Sequence, residues 1–163
     1  MKNIITLCFI VFAAFQLNAQ EEGHVNWKSV EEAQTASKKD GKPILIDAYT
    51  VWCGPCKMLT KLTFKDSTVA AYLNENFHAV KFNAEGNAEI KFNGVTYKNP
   101  NYKPENKYKR NAQHEMAQKL EVNAYPTILF IDSKGEVIKT ELGFRSPDQM
   151  MAVLEKLVDK GSK

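Results

Sequence analysis

Cysteine is scarce in this sequence, which has three among its 163 residues: Cys8, Cys53 and Cys56. So few cysteines exclude a small scaffold held by many disulfides, and an odd count leaves one thiol unpaired in an oxidising compartment. The 8 glycines and 6 prolines are too few for collagen. With 44% apolar residues, the chain is one globular domain with a sizeable core. The net charge of +3 argues neither for nor against nucleic acid.

A long hydrophobic run is missing too, since a membrane-spanning helix needs about 20 apolar residues. The apolar stretch at 4–17 is shorter; it follows the single positive charge of Lys2 and is followed by the small residue Ala19. This arrangement is typical of a secretory signal peptide. We therefore predict a signal peptide at 1–19 and a mature chain at 20–163. A buried N-terminal helix or an uncleaved anchor is the alternative.

Export would change the cysteine count. Cys8 lies inside the apolar stretch and leaves with the signal peptide, so the mature chain keeps two cysteines. No other apolar stretch is long enough to span a bilayer. We expect a periplasmic or secreted protein with no stable membrane insertion, and no nucleic-acid partner.

Helix and strand signals alternate along the mature chain. Ser29 and Glu32 form a capping box that starts the first helix, and the apolar run at 44–49 has the length of a strand buried on both faces. Asn93-Gly94, between alternating flanks, predicts a hairpin over 90–97. Strands are also expected at 77–82, 126–132 and 136–142, and helices at 53–62, at 112–120 and after residues 66 and 146. This order predicts an α/β fold with a mixed central sheet flanked by helices.

Cys53 and Cys56 are separated by glycine and proline, and they follow the predicted strand at 44–49 at the start of a helix. Cysteines at i and i+3 in a first helical turn are close enough to form a small disulfide ring. Unpaired backbone N–H groups and the positive helix end stabilise a thiolate on Cys53. We predict that Cys53 attacks a partner disulfide and that the shielded Cys56 attacks the resulting mixed disulfide.

A zinc site, a structural disulfide and a copper site are the alternative uses of such a cysteine pair. A structural zinc site needs four ligands, but there is no second cysteine pair, and His24, His78 and His114 are scattered. A structural disulfide over four residues would constrain little of the unfolded chain. A copper site is the sharper alternative, because soft thiolates suit Cu(I), although the neighbouring Met58 need not face the pair.

Several segments in a fixed order carry a resemblance to a known family. They are Ile44-Leu45-Ile46-Asp47, Cys53-Gly54-Pro55-Cys56, Ala79-Val80-Lys81-Phe82-Asn83, Ala124-Tyr125-Pro126-Thr127 and Gly135-Glu136-Val137 through Gly143. On these segments, the chain from about residue 27 to residue 157 resembles the thioredoxin family. The segments Gly41-Lys42-Pro43 and Thr63-Phe64-Lys65-Asp66 resemble exported members, such as the C-terminal domain of the thiol:disulfide interchange protein.

The resemblance implies a thioredoxin fold and roles around the two cysteines. Asp47 stands where the family keeps a buried acid that exchanges a proton with the second cysteine, and Lys81 matches the lysine partner of that acid. Pro126 matches a proline that follows a cis peptide bond, which turns the Tyr125 backbone towards substrate. The implied catalytic residues are Cys53, Cys56, Asp47 and Lys81, and the implied substrate-binding rim is Trp52, Gly54, Pro55, Tyr125, Pro126, Gly143 and Phe144. A solvated strand-end lysine and ordinary core packing of the rim are the plainer alternatives.

Three positions depart from the family pattern. Tyr49 replaces the usual tryptophan four residues before the first cysteine, and Lys61 replaces the proline that kinks the active-site helix. Tyr125 replaces the small or β-branched residue before the cis proline. We expect altered rim packing, a straighter or differently bent helix, and a reduction potential that cannot be copied from thioredoxin.

An insert at about 84–110 precedes the strand that begins at Pro126. A crossover between strands needs only about 10–12 residues. The second half of the insert is rich in cations and tyrosines against one acid, Glu105, and contains Tyr97, Lys98, Tyr102, Lys103, Lys107, Tyr108, Lys109 and Arg110. The preferred interpretation is a solvated hairpin and loop packed by its tyrosines. A partner-recognition flap beside the active site is the alternative.

The sequence favours an exported thiol:disulfide oxidoreductase that reduces protein disulfides through Cys53 and Cys56 and needs no cofactor or metal. Gly54-Pro55 between the cysteines resembles the reducing members of the family. Its partners would be client proteins with disulfides or thiols and, because reduction outside the cytosol needs electrons, a membrane electron donor. The alternative is a binding module on a thioredoxin fold, either a copper metallochaperone or a chaperone without redox turnover.

Overall fold

A computed structural model describes residues 23–161, so the predicted signal peptide at 1–19 lies outside the described residues. The chain forms α1 (Val30–Asp40), β1 (Ile44–Tyr49), α2 (Gly54–Met58), α3 (Ser67–Asn76), β2 (His78–Asn83), β3 (Ile90–Phe92), β4 (Val95–Tyr97), α4 (Glu115–Lys119), β5 (Thr127–Ile131), β6 (Val137–Leu142) and α5 (Pro147–Gly161). A π-helical segment, Leu59–Thr63, continues α2, and a 3-10 helix, Pro104–Asn106, lies in the insert. The predicted order of elements is confirmed.

The main sheet has four strands in the order β2-β1-β5-β6. β1 runs parallel to β2 and antiparallel to β5, and β5 runs antiparallel to β6, so the predicted mixed sheet is confirmed. β1 and β5 are the central strands, which explains why both consist mainly of apolar residues and are buried along nearly their whole length. Strands β3 and β4 form a separate hairpin.

Alternate residues of β1 point to opposite faces of the sheet. Ile44, Ile46 and Ala48 join a core cluster with α1 and α4, whereas Leu45 joins a second cluster with α3, α5 and the π-helical segment. Burying a side chain of this size contributes about 1.5–3 kcal/mol, so the two clusters hold β1 firmly between the layers. Asp47 has the same parity as Leu45 and therefore shares the face on which the π-helical continuation of α2 packs.

The helix starts confirm the capping predictions. The Ser29 hydroxyl accepts a hydrogen bond from Glu32 N, and the Glu32 carboxylate accepts one from Ser29 N, as a capping box requires. Ser146 and Gln149 make the same reciprocal pair before α5. α4 is shorter than predicted at 112–120, because the His114 side chain accepts a hydrogen bond from Met116 N and so caps the helix there.

The hairpin at 90–97 is confirmed. Asn93 and Gly94 both have positive φ, 50° and 81°, which the predicted type I′ turn requires at its two central positions. Gln34 of α1 fixes the hairpin by donating to Lys91 O and accepting from Asn93 N. Throughout residues 23–161, no helix is both long enough and apolar enough to cross a bilayer.

Candidate active site

Cys53 and Cys56 form a disulfide at the start of α2, which confirms the predicted pair. Cys53 is the N-cap, and its sulfur accepts a hydrogen bond from Cys56 N at 3.1 Å. When the pair is reduced, the same N–H lies where it can donate to a Cys53 thiolate, and a hydrogen bond to the charged form favours that form. The N-cap position thus places the Cys53 sulfur where a backbone N–H stabilises a nucleophilic thiolate.

Burial does not separate the two cysteines. In the oxidised pair, Cys53 is 3% exposed and Cys56 is 2% exposed. The predicted shielding of Cys56 is confirmed, but Cys53 is shielded equally, because the short disulfide ring holds both sulfurs against the protein. Gly54 and Pro55 between them are exposed, so a partner would reach the site over this dipeptide.

Asp47 is fully buried on β1, beside Lys81 of β2. Its Oδ2 lies 3.3 Å from Lys81 Nζ, and among the described residues neither carboxylate oxygen has a hydrogen bond of good geometry. Burial raises the pKa of the Asp47 carboxyl, and the charge of Lys81 opposes that rise only in part. Asp47 therefore holds a proton more readily than an exposed aspartate does. The predicted contact between Asp47 and Lys81 is confirmed.

Lys81 is not a solvated strand-end lysine. Its Nζ donates a hydrogen bond to Thr60 Oγ1 at 2.6 Å. The same nitrogen lies 5.1 Å from the centroid of the Trp27 ring and 5.3 Å from that of Tyr49, within the range of cation–π attraction. Tyr49, at the usual tryptophan position, therefore faces the lysine that accompanies the buried acid.

The peptide bond between Tyr125 and Pro126 is cis, as the resemblance implied. Gly143 N donates to Pro126 O at 2.8 Å, which ties the loop after β6 to the start of β5. Within residues 23–161, the backbone N–H and C=O of Tyr125 have no hydrogen-bond partner. Such groups are free to pair with an extended segment of a client.

Trp52, the residue before the first cysteine, is held by residues from both ends of the insert. Glu85 Oε2 accepts hydrogen bonds from Trp52 Nε1 at 2.7 Å and from Asn111 N at 2.9 Å. Arg110 Cζ lies 3.9 Å from the centroid of the Trp52 ring. Tyr125 meets the same ring edge-on, with 5.8 Å between centroids. The structure thus brings Trp52 and Tyr125 of the predicted rim together.

Phe144 does not join this aromatic pair. It is partly buried and packs against the core cluster on the Leu45 face of the sheet, so its visible contacts are those of a core residue. Lys61 is exposed in the π-helical segment. The helix widens from α to π after Met58.

The insert follows the preferred interpretation only in part. Tyr97 packs against the core cluster on the α1 side, as expected. Tyr108 is 77% exposed, so the prediction that the tyrosines pack the loop is wrong there. The ends of the insert close on Trp52 instead, which is where a flap beside the active site would lie.

Thr60, Glu85 and Asn111 were not predicted as site residues. Each acts by contacting a residue far away in the sequence, and polar residues in a helix or a loop carry no periodic signal that would identify such a contact. The sequence shows Arg110 as one of the cations of the insert. It does not show the contact of Arg110 with Trp52, which depends on how the insert folds back. In the described part of the chain, no group of three or more His, Cys, Asp or Glu side chains could hold a metal ion.

Comparison with known proteins agrees with this geometry. A family profile described as a thioredoxin-like domain matches residues 30–158. The chain belongs to the thioredoxin-like disulfide oxidoreductases. Over 113 residues, 69% of its length, it is 30% identical to the thiol:disulfide interchange protein DsbD of Photorhabdus laumondii subsp. laumondii, of which it covers 15%.

Solved structures of other members of the thioredoxin-like family share the fold. A candidate disulphide-isomerase from Bacteroides thetaiotaomicron is 34% identical, with a TM-score of 0.57, over 83% of this chain and 93% of that one. A thioredoxin from Thermus thermophilus is 18% identical, with a TM-score of 0.61, over 84% of this chain and 89% of that one. The chain spans between 15% and 21% of the length of the curated relatives it matches.

Proposed function

We propose that the protein reduces disulfides of exported proteins by exchange through Cys53 and Cys56. The Cys53 thiolate attacks one sulfur of a client disulfide: a Cys53–client bond forms, the client S–S bond breaks, and the departing thiolate takes up a proton. Cys56 then loses its proton and attacks the Cys53 sulfur, which releases the second client thiol. Two electrons and two protons pass to the client, and the protein ends as the Cys53–Cys56 disulfide.

The disulfide at the N-cap of α2 is the observation that carries this proposal. It places two sulfurs one helical turn apart, beside an exposed dipeptide through which a partner gains access. Asp47 supplies a buried carboxyl whose raised pKa suits it to take the proton of Cys56 during resolution. The unpaired backbone of Tyr125 supplies an edge for a client segment.

Each turnover leaves the protein oxidised, so a second partner must return two electrons. A membrane protein that carries a dithiol meets this need outside the cytosol, provided that residues 1–19 direct export. The Gly54-Pro55 dipeptide between the cysteines is the feature that favours the reducing direction. The likeness to a relative named as a thiol:disulfide interchange protein supports a thiol-bearing partner.

Serine substitution of each cysteine tests the proposal. With insulin as substrate and a chemical dithiol as electron source, Cys53→Ser abolishes the reduction catalysed by the protein, since the attacking thiol at the N-cap of α2 is gone. Prereduced Cys56→Ser, mixed with insulin after the chemical dithiol has been removed, accumulates a covalent mixed disulfide because the resolving thiol is gone, and nonreducing electrophoresis detects it. A Cys53→Ser protein that still reduces insulin would contradict the proposal. Negligible exchange together with stoichiometric Cu(I) binding by the reduced protein would favour a metallochaperone instead.

A further inference from the structure

The insert is closed at its base and fastened to the active site. Asn99 Nδ2 donates to Gly86 O at 2.9 Å and to Ala112 O at 2.7 Å, which joins the start of the insert to the residues that follow it. Glu85, which is nearly buried, holds the Trp52 indole. Because backbone and side-chain bonds fix both ends, the insert has a defined position relative to Cys53.

Arg110 is a cation of the insert that contacts Trp52, the residue before the reactive pair. Its guanidinium stacks on the Trp52 ring, with Cζ 3.9 Å from the centroid. The side chain is exposed, and no hydrogen bond or ion pair to it is found within residues 23–161. A guanidinium that is oriented by an aromatic ring, with free N–H donors, is prepared for a carboxylate.

Three more cations close to Arg110 in the sequence are exposed: Lys103, Lys107 and Lys109. None of them forms an ion pair with a described residue. Tyr108, 77% exposed, stands among them, with Lys107 Nζ 4.8 Å from its ring centroid. We call Lys103, Lys107, Tyr108, Lys109 and Arg110 the basic insert surface. It combines unpaired positive charge with one large exposed aromatic ring, a residue type enriched at protein interfaces.

Lys98, by contrast, is a cation of the insert that is paired with an acidic side chain. Its Nζ lies 2.8 Å from Glu89 Oε2, so this charge is neutralised within the chain. Glu105 is the single acid of the sequence between residues 98 and 110. Even with Glu105, the basic insert surface carries an excess of positive charge, and Arg110 places part of that charge against Trp52.

We propose that the basic insert surface docks an acidic polypeptide segment that flanks the disulfide of a client, and so selects disulfides by the charge of their neighbours. The inference rests on the proposed reduction of client disulfides. An acidic polypeptide is favoured over other anions because the surface adjoins Trp52 and Cys53: a ligand bound there gains most if it also carries the disulfide that Cys53 attacks. Opposite charge also accelerates encounter.

Peptides that differ only in charge provide the test. Three peptides with the same internal disulfide carry glutamate, glutamine or lysine on both flanks, and each is mixed with the fully reduced protein in a single-turnover experiment. We expect the glutamate peptide to react about tenfold faster than the lysine peptide at low ionic strength. The difference should shrink at high ionic strength, because salt screens exposed charges.

A matched pair of variants locates the effect. Lys103→Gln/Lys107→Gln/Lys109→Gln removes three charges from the basic insert surface and leaves the contacts of Trp52 in place. The control, Lys39→Gln/Lys134→Gln/Lys156→Gln, removes three exposed charges near the opposite end of the sheet, where β1 begins and β5 ends. The glutamate-to-lysine rate ratio should fall towards one in the insert variant and keep its wild-type value in the control.

The outcomes separate this inference from the proposed function. If the wild type reduces all three peptides at the same rate, the function stands and the docking surface is wrong. A preference for glutamate that survives in the insert variant, or that the control variant loses, also overturns the docking surface. If the wild type fails to reduce even the glutamine peptide while a thioredoxin control reduces it, the proposed function itself fails.

Discussion

At the scale of single residues, Asp47 is where folding and chemistry place opposite demands on one side chain. A fully buried carboxylate beside one cation is costly when ionised, because the interior solvates charge poorly. The same burial raises the pKa of Asp47, which a proton acceptor for Cys56 requires. We infer that the protein gives up some stability at neutral pH in return for a carboxyl that can exchange a proton.

Asp47→Asn should therefore raise the free energy of unfolding of the oxidised protein at pH 8 by about 1–3 kcal/mol. Lys81 does not become a fully buried lone charge in the variant, because its side chain is 27% exposed. The folded protein holds the Asp47 proton more tightly than the unfolded chain, whose aspartate has the ordinary pKa of 3.8. Wild-type stability consequently falls as the pH rises from that value through the raised pKa. The gain of the variant is absent below pH 3.8 and complete above the folded pKa. Urea titrations across this range measure it.

Asp148→Asn is the control for this prediction, since Asp148 is exposed in the first turn of α5. It should change stability only slightly and without the same pH dependence. Equal stability of wild type and Asp47→Asn at pH 8 would show that the carboxylate is better solvated than its burial implies. The variant should also resolve mixed disulfides more slowly, because it lacks the proton acceptor that we propose for Cys56.

Lys81→Gln changes the other member of the pair. The positive charge of Lys81 lowers the pKa of Asp47, so its removal should raise that pKa further. Carbon-13 NMR of the Asp47 carboxyl in the reduced protein measures the titration directly. The pH dependence of mixed-disulfide resolution should shift upwards with it. An unchanged Asp47 titration would mean that Lys81 does not tune the acid.

At the scale of elements, the insert and the active-site loop are joined through one carboxylate. Glu85→Ala leaves the N–H groups of Trp52 and Asn111 without their acceptor in a largely buried place. We expect a loss of about 1–3 kcal/mol in unfolding free energy. Faster hydrogen exchange at Asn111 and a changed Trp52 fluorescence should accompany it, because the end of the insert is released.

Glu136→Ala is the matched control, because Glu136 is exposed at the turn between β5 and β6, at the far end of the sheet. It should leave Trp52 fluorescence and Asn111 exchange at wild-type values. If Glu85→Ala behaves like this control, the insert is held on Trp52 by Arg110 stacking alone, and the carboxylate has no part in it.

Elements whose sequence carries a local signal were predictable. The conformations of β1, of the Ser29 capping box and of the Asn93-Gly94 turn are each determined by a few neighbouring residues, and all three were predicted correctly. α4 was predicted to start too early, because the apolar spacing at 112–120 does not reveal that a histidine side chain, His114, caps the helix. Local pattern predicts where an element lies better than where it ends.

The features of the candidate site likewise divide into those that the sequence predicts and those that depend on long-range folding. The spacing of Cys53 and Cys56 at a predicted helix start was enough to identify the pair. The family resemblance correctly implied the Asp47–Lys81 contact and the cis Tyr125–Pro126 bond. The contacts of Arg110 and Glu85 with Trp52 could not be predicted, because they depend on how an insert with no periodic pattern returns to the sheet. Long-range polar contacts of this kind are a property of the folded chain.

At the scale of the whole molecule, export decides which chemistry is available. If residues 1–19 are a cleaved signal peptide, expression of the full sequence in a bacterial host should yield a periplasmic protein that begins at Gln20 or Glu21. Intact-mass analysis of the periplasmic fraction measures the N-terminus. The protein should contain two cysteines and no free thiol when oxidised. A full-length protein that retains Cys8 in the cytosol would contradict export and remove the need for a membrane electron donor.

The direction of electron flow belongs to the molecule as a whole, because the proposed function relies on the N-cap of α2, the buried acid and the insert on Trp52 together. Equilibration of the Cys53–Cys56 pair with a glutathione redox buffer gives its reduction potential directly. The proposed reducing function predicts a value closer to that of thioredoxin, about −270 mV, than to that of a strong oxidant. A value near about −120 mV would identify an oxidant and contradict the reducing function proposed for this site.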